Sequence, residues 1–132
     1  MKQLKLGLVL FAFLMGCSWL RAEEKSYPPN QYVELVGTVK EGLGYDANKK
    51  REPYYFLRLD KPIAVAADQY SEERKGIRDL QLVLLHGAKI GHLVGKHIAV
   101  KGKLSHAFSA HHHTKVLLEL DKSTDARLTP DR

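Results

Sequence analysis

Five runs of alternating apolar and polar residues constrain this chain more than any other feature. In "YVELVGTVK", Val33, Leu35, Gly37 and Val39 fall on one side. Glu34, Thr38 and Lys40 fall on the other, Val36 apart. That period of two belongs to a half-buried strand. "PYYFLRLDKPIAV" follows; Pro53 can open a strand but not occupy its centre, and Pro62 implies an edge or a bulge after Asp60. "DLQLVLL" groups Leu80, Leu82 and Leu84. "KHIAVKGKLSHAF" groups Ile98, Val100, Gly102 and Leu104 against His97, Lys101 and Lys103. "TKVLLELD" turns Val116, Leu118 and Leu120 inward.

The connectors differ in kind. "KEGLGYDANKKRE" is glycine-rich and charged and reads as a surface loop. "AADQYSEERKGIR" suits a helical turn after Ser71 that Gly76 ends early. "HGAKIGHLVGK" is too short and glycine-broken for a long helix, but fits a single turn carrying Ile90, Leu93 and Val94. Five strands, a helical turn between the third and fourth, and glycines inside strands at Gly37 and Gly102 give an all-β fold. The expected form is a small five-stranded barrel with the order of the oligonucleotide/oligosaccharide-binding (OB) topology. An open antiparallel sheet with one covered face is the alternative.

The N-terminus bounds the compartment. Lys2 and Lys5 precede an unbroken apolar run from Leu6 to Met15, and no acidic residue occurs before Glu23. This is the pattern of a secretory signal over residues 1–22; a buried N-terminal helix fits the charge asymmetry less well. Cleavage after Ala22 leaves a soluble periplasmic or secreted protein beginning at Glu23. The alternative is a lipoprotein anchored through Cys17 of "LMGC", although Met15 is unusual in a lipobox. Cys17 is the single cysteine, so the exported domain is held by its core rather than by disulfides. Removing residues 1–22 lowers the basic count from 21 to 18 against 15 acidic residues, a net charge of about +3. That scattered excess does not argue for nucleic acid, and a membrane contact is expected only through a lipidated Cys17. The organisation is then an extended leader at 23–31, a β domain at 32–121 and a flexible tail at 122–132.

"YYFLRLDKPIAV", "IRDLQLVLL", "LVGKHIAVKGKL" and "HHHTKVLLEL" together resemble the domain-of-unknown-function family 4431, found in bacterial exported proteins. The matching features are Leu59-Asp60 followed by Pro62-Ile63, Gln81, Gly95-Lys96, Gly102, and His112-His113-Thr114 leading into Val116-Leu117-Leu118. The resemblance covers the second half of the mature chain and, loosely, the first strand. It implies an OB-like domain in the bacterial envelope. It implies no activity, substrate or catalytic residue.

Searches for chemistry return little. No "GxSxG", "HExxH" or paired "CxxC" is present, and the chain is not expected to be an enzyme. Tyr54 and Phe56 share one face of the second strand, and Tyr55, Leu57 and Leu59 the other. With Arg58 beside them, Tyr54 and Phe56 form a candidate binding face for a polar small ligand or an envelope protein. The reading favoured over it is a second small core under residues 61–78. The mature chain also holds all seven histidines, three of them consecutive at His111, His112 and His113. His111 and His113, with His106, are the candidate metal ligands, zinc or copper being the ions such imidazoles suit. Their position between the fourth and fifth strands favours instead a turn with histidine rings held by protein hydrogen bonds. No cofactor is required by either reading. The function expected is that of a non-enzymatic binding or interaction module, with a metal-binding envelope protein as the alternative.

Overall fold

The computed structural model of the protein describes residues 24–130. The expected signal segment 1–22 and Cys17 lie outside the described residues. Within them the fold is all-β, and the only helical elements are two short 3-10 turns. The strands are β1 (Lys25–Tyr27), β2 (Tyr32–Tyr45), β3 (Arg51–Val65), β4 (Arg74–Leu84), β5 (His97–His106), β6 (Val116–Leu120) and β7 (Ala126–Leu128).

Each of the five long alternations became a strand, and their pairings form a cycle. Strand β2 pairs antiparallel with β3, and β3 antiparallel with β4. Strand β4 pairs in parallel with β6, β6 antiparallel with β5, and β5 antiparallel with β2. The apolar face of each alternation turns inward. Val39, Leu57, Leu80, Ile98, Val100, Leu104, Val116, Leu118 and Leu120 are completely buried in one cluster. Ile90 and Leu93 join it from the 3-10 turn Gly91–Leu93, the single turn expected between the third and fourth alternations. Val94, placed with them by sequence, stays at the surface. Gly102 is required by space: a Cβ there would lie 2.6 Å from the Glu119 carbonyl oxygen and 3.0 Å from Leu118 Cγ.

The prolines behave as strand chemistry demands. Pro53 lies where β3 pairs only with β2, because pairing with β4 begins at Phe56. Only one side of its backbone therefore has a partner strand. The β3–β4 register shifts between Arg58 and Ile63, the irregularity that Pro62 implied.

Four expectations need correction. The glycine-rich connector is mostly strand: β2 runs to Tyr45, β3 resumes at Arg51, and only residues 46–50 turn. Asp46 closes that turn by accepting from the N–H groups of Asn48 and Lys50. There is no helical turn after Ser71; β4 has begun by Arg74. The leader is not merely extended, because Lys25–Tyr27 pairs in parallel with Ile63–Val65. Nor is the tail free from 122. A 3-10 turn spans Ser123–Asp125, and Ala126–Leu128 pairs with β5. His97 pins this segment, its Nδ1 lying 2.6 Å from Thr129 Oγ1 and its Nε2 2.8 Å from Asp60 Oδ2. Segments this short carry too few residues to display a period, so local sequence could not announce them.

Candidate functional site

The outward face of the sheet has its own buried row. Phe56 pairs across with Gln81, Gln81 with Leu117, and Leu117 with Ser105. All four point away from the main core, since their neighbours Leu57, Leu80, Leu118 and Leu104 point into it. All four are nevertheless buried. The loop 107–115 between β5 and β6, which carries the three histidines, returns to this row at Gln81.

Gln81 is the clamp. Its side-chain Nε2 donates to the His111 carbonyl at 3.0 Å, and its Oε1 accepts from the His113 N–H at 2.6 Å. Its own backbone N–H donates to Thr114 Oγ1, whose hydroxyl donates in turn to the Val116 carbonyl. A primary amide sets N–H donors beside a carbonyl acceptor at fixed spacing, so Gln81 replaces a missing strand neighbour for the loop backbone. The second anchor is Glu52. One carboxylate oxygen lies 2.6 Å from His111 Nδ1 and the other 3.1 Å from His113 Nε2. The β2–β3 hairpin is thereby tied to the histidine loop.

The rings then stack along the face. His113 lies 4.7 Å from Tyr54 between centroids, Tyr54 lies 5.7 Å from Phe56, and Arg58 sits 5.6 Å over the Phe56 ring. Glycines make the seat: a Cβ at Gly42 would strike the Tyr54 ring, and one at Gly44 the His113 ring. His112 faces its own loop. Its Nδ1 accepts from the N–H groups of Phe108 at 3.0 Å and Ser109 at 3.2 Å, so the neutral ring carries its proton on Nε2. Burial holds the His112 pKa below the ordinary imidazole value, with His111 and His113 adding to the effect and Glu119 opposing it.

The sequence-derived candidates therefore separate. Phe56 is buried and Tyr54 half-buried, as the favoured second small core required, and the loop that reaches them is the one carrying His113, packed on Tyr54, rather than 61–78. Arg58 remains at the surface, where both its Nε and a terminal nitrogen bond the Asp79 carboxylate, raising the Arg58 pKa. His111 and His113 share Glu52, whereas His106 Nε2 donates to the Ala66 carbonyl at 2.8 Å. Among the described residues no three His, Cys, Asp or Glu side chains are placed to hold a metal ion. Glu52 escaped the sequence reading, although it stands at the same parity as Tyr54, Phe56 and Arg58 on β3. Extending the alternation two residues upstream would have found it.

Beside the loop the surface opens into two adjoining cavities of about 300 and 390 Å³, which share Ser71, His106 and Ala107 in their walls. No curated protein and no solved structure matches the chain. One family model does: residues 79–124, the span that holds Gln81, Ser105, His106 and the histidine loop, match the domain of unknown function DUF4431, the family that the sequence resembled.

Proposed function

We propose that the chain is an exported, non-enzymatic binding module on a five-stranded OB-like barrel, recognising a polar small ligand or an envelope protein. The cycle β2–β3–β4–β6–β5, with a parallel β4–β6 pair and a 3-10 turn between β4 and β5, supports the barrel. The basic and apolar segments at the N-terminus support export to the periplasm or beyond, with anchoring through Cys17 as the alternative.

The observation that carries the binding role is the fixed histidine loop. A hairpin between adjacent strands needs roughly two to five residues, yet residues 107–115 form a longer excursion. It is held at its backbone by Gln81 and at its side chains by Glu52. A surface loop ordered before contact loses little conformational entropy on binding, the general condition for a recognition element.

The test is native mass spectrometry of the processed protein after incubation with soluble envelope extract. A retained species is expected with the wild type and is expected to be lost in Gln81→Ala, which frees the loop. Equal retention by both, or none by either, argues against the reading. N-terminal mass measurement should find Glu23 first or a lipidated Cys17; an intact Met1 in envelope fractions refutes export. Metal binding is the second reading, favoured by the convergence of His111 Nδ1 and His113 Nε2 on one carboxylate. The hydrogen-bonded bridge already satisfies these groups, which is why it stands second.

A further inference from the structure

The β2–β3 hairpin runs on after its neighbours have left it. Pairing of β2 with β5 ends at Thr38–His97, whereas pairing with β3 continues to Tyr45–Arg51. Among the described residues no strand other than β3 adjoins β2 from Lys40 to Tyr45. Two bonds fix which way its backbone groups point. The Val39 N–H donates to the Lys96 carbonyl at 3.1 Å, and the Val39 carbonyl accepts from the Gly95 N–H at 2.8 Å, so Val39 faces the β5 side. The Asp46 N–H donates to the Lys50 carbonyl at 2.9 Å, so Asp46 faces β3. Strand residues alternate in this respect, and the β2–β3 register is unbroken over the hairpin. Glu41, Leu43 and Tyr45 therefore turn both N–H and C=O to the open edge.

The two edges of the hairpin are not alike. On β3 the same alternation sets Arg51, Pro53 and Tyr55 outward, and Pro53 has no N–H to offer, which blunts that edge. The β2 edge has neither a proline nor a bulge, and Leu43 and Tyr45 stand on it 54% and 59% exposed. It is also held in place before any contact, because Glu52 ties the hairpin to His111 and His113.

We propose that this edge pairs with the same edge of a second copy of the chain, antiparallel about a twofold axis at Leu43. The sequence of the edge is complementary to itself in that register. Leu43 faces Leu43 of the second copy, and Glu41 faces its Tyr45, each pair exchanging two main-chain hydrogen bonds. Sliding the copies by two residues either way leaves Glu41 or Tyr45 without an open partner, because the next residues are Val39, already bonded, and Ala47, in the turn. Between these pairs Gly42 faces Gly44. At the ends Lys40 faces Asp46, so an ion pair forms on each side of the axis. Lys40 is exposed, and Asp46 uses only Oδ1 to close its turn, which leaves Oδ2 for the lysine. An edge this short makes an interface of the transient class, below about 1,200 Å².

The experiment is sedimentation equilibrium of the processed protein, beginning at Glu23, at roughly 10–500 µM, the range such small interfaces call for. A reversible monomer–dimer equilibrium is expected. Leu43→Pro removes only an N–H that faces the open edge and should weaken the dimer about tenfold or more. Lys40→Glu, which sets like charges opposite one another, should do the same. Disulfide trapping reads the register, since the processed protein holds no other cysteine. Leu43→Cys should cross-link to itself on mild oxidation, its Cα atoms lying about 5.5 Å apart across the axis. Glu41→Cys should not, but should cross-link when mixed with Tyr45→Cys. Should Leu43→Pro fail to fold by circular dichroism, the trapping decides alone. A monomer throughout the range overturns the proposal and leaves the edge to a strand of another protein. A dimer that Lys40→Glu leaves unchanged, or in which Glu41→Cys cross-links alone as readily as Leu43→Cys, overturns it as well.

Discussion

Replacing Gln81 with leucine tests whether the histidine loop is held by its clamp or merely rests on the sheet. The substitution removes the 3.0 Å bond to the His111 carbonyl and the 2.6 Å bond from the His113 N–H. Each such bond contributes about 0.5–1.5 kcal/mol net, so the pair is worth roughly 1–3 kcal/mol. Two effects modify this. Leucine buries apolar surface beside Phe56 and Leu117, which offsets up to about 1 kcal/mol. The orphaned loop groups add a desolvation cost, up to the point at which the loop opens to water. The expected net loss is about 2 kcal/mol, or a melting temperature lower by about 8 °C for a domain of this size. Urea denaturation measures it, with an unchanged m-value required for the comparison to hold. Amide hydrogen exchange at His113 gives the local readout and should accelerate more than exchange in the β2–β5 core. A loss below about 0.5 kcal/mol, with the His113 amide still protected, refutes the clamp.

Three further outcomes are expected. The His112 pKa lies below its unfolded value of 6.5, so the unfolded chain binds more protons as pH falls past that value. The stability this group contributes is present above about pH 6.5 and is lost as pH falls through the lowered folded pKa. Urea midpoints taken from about pH 8 to about pH 5 should therefore drop more steeply in the wild type than in His112→Gln; parallel curves would count against a titrating His112. Gly102→Val should cost on the order of 1–3 kcal/mol, because its side chain must displace the Glu119 carbonyl and Leu118; an unchanged melting temperature rules that out. His113→Gln should cost little and His113→Leu about 1 kcal/mol, while micromolar zinc leaves the wild-type melting curve in place. A stabilisation that grows with the logarithm of zinc concentration and vanishes in a His111→Ala, His113→Ala variant would establish the metal reading.

What was legible in the sequence was the part written in period two. Val33 to Val39, Leu80 to Leu84, Ile98 to Leu104 and Val116 to Leu120 gave both the strands and their inward faces, because one buried side imposes alternation. The β2–β3 hairpin was misread beyond Lys40 because Gly42 and Gly44 look like loop residues. Their reason is tertiary: the Tyr54 and His113 rings occupy the space that side chains would fill. Phe56, Gln81, Leu117 and Ser105 stand on the face that alternation assigns to solvent. Their burial depends on segments that return over this face, among them the histidine loop that Gln81 holds. The buried Ser105 Oγ and His106 Nδ1, without a hydrogen-bond partner among the described residues, leave no trace in a local pattern, since their isolation depends on which distant segments pass nearby. The histidine run itself was legible by position, between two strands that had to turn.

The parallel pairing of β4 with β6 has a consequence for how the chain comes into being. Strand β4 ends at Leu84 and β6 begins at Val116, so β5 and both connectors must emerge before the two can meet. Until then β4 has β3 on one side and nothing on the other, and β5 has β2 but no β6. Two unsatisfied edges of high β-propensity are an invitation to pair with another copy. Nascent chains stalled before Val116 should thus be the aggregation-prone species, and the five residues of β6 the step that ends their vulnerability.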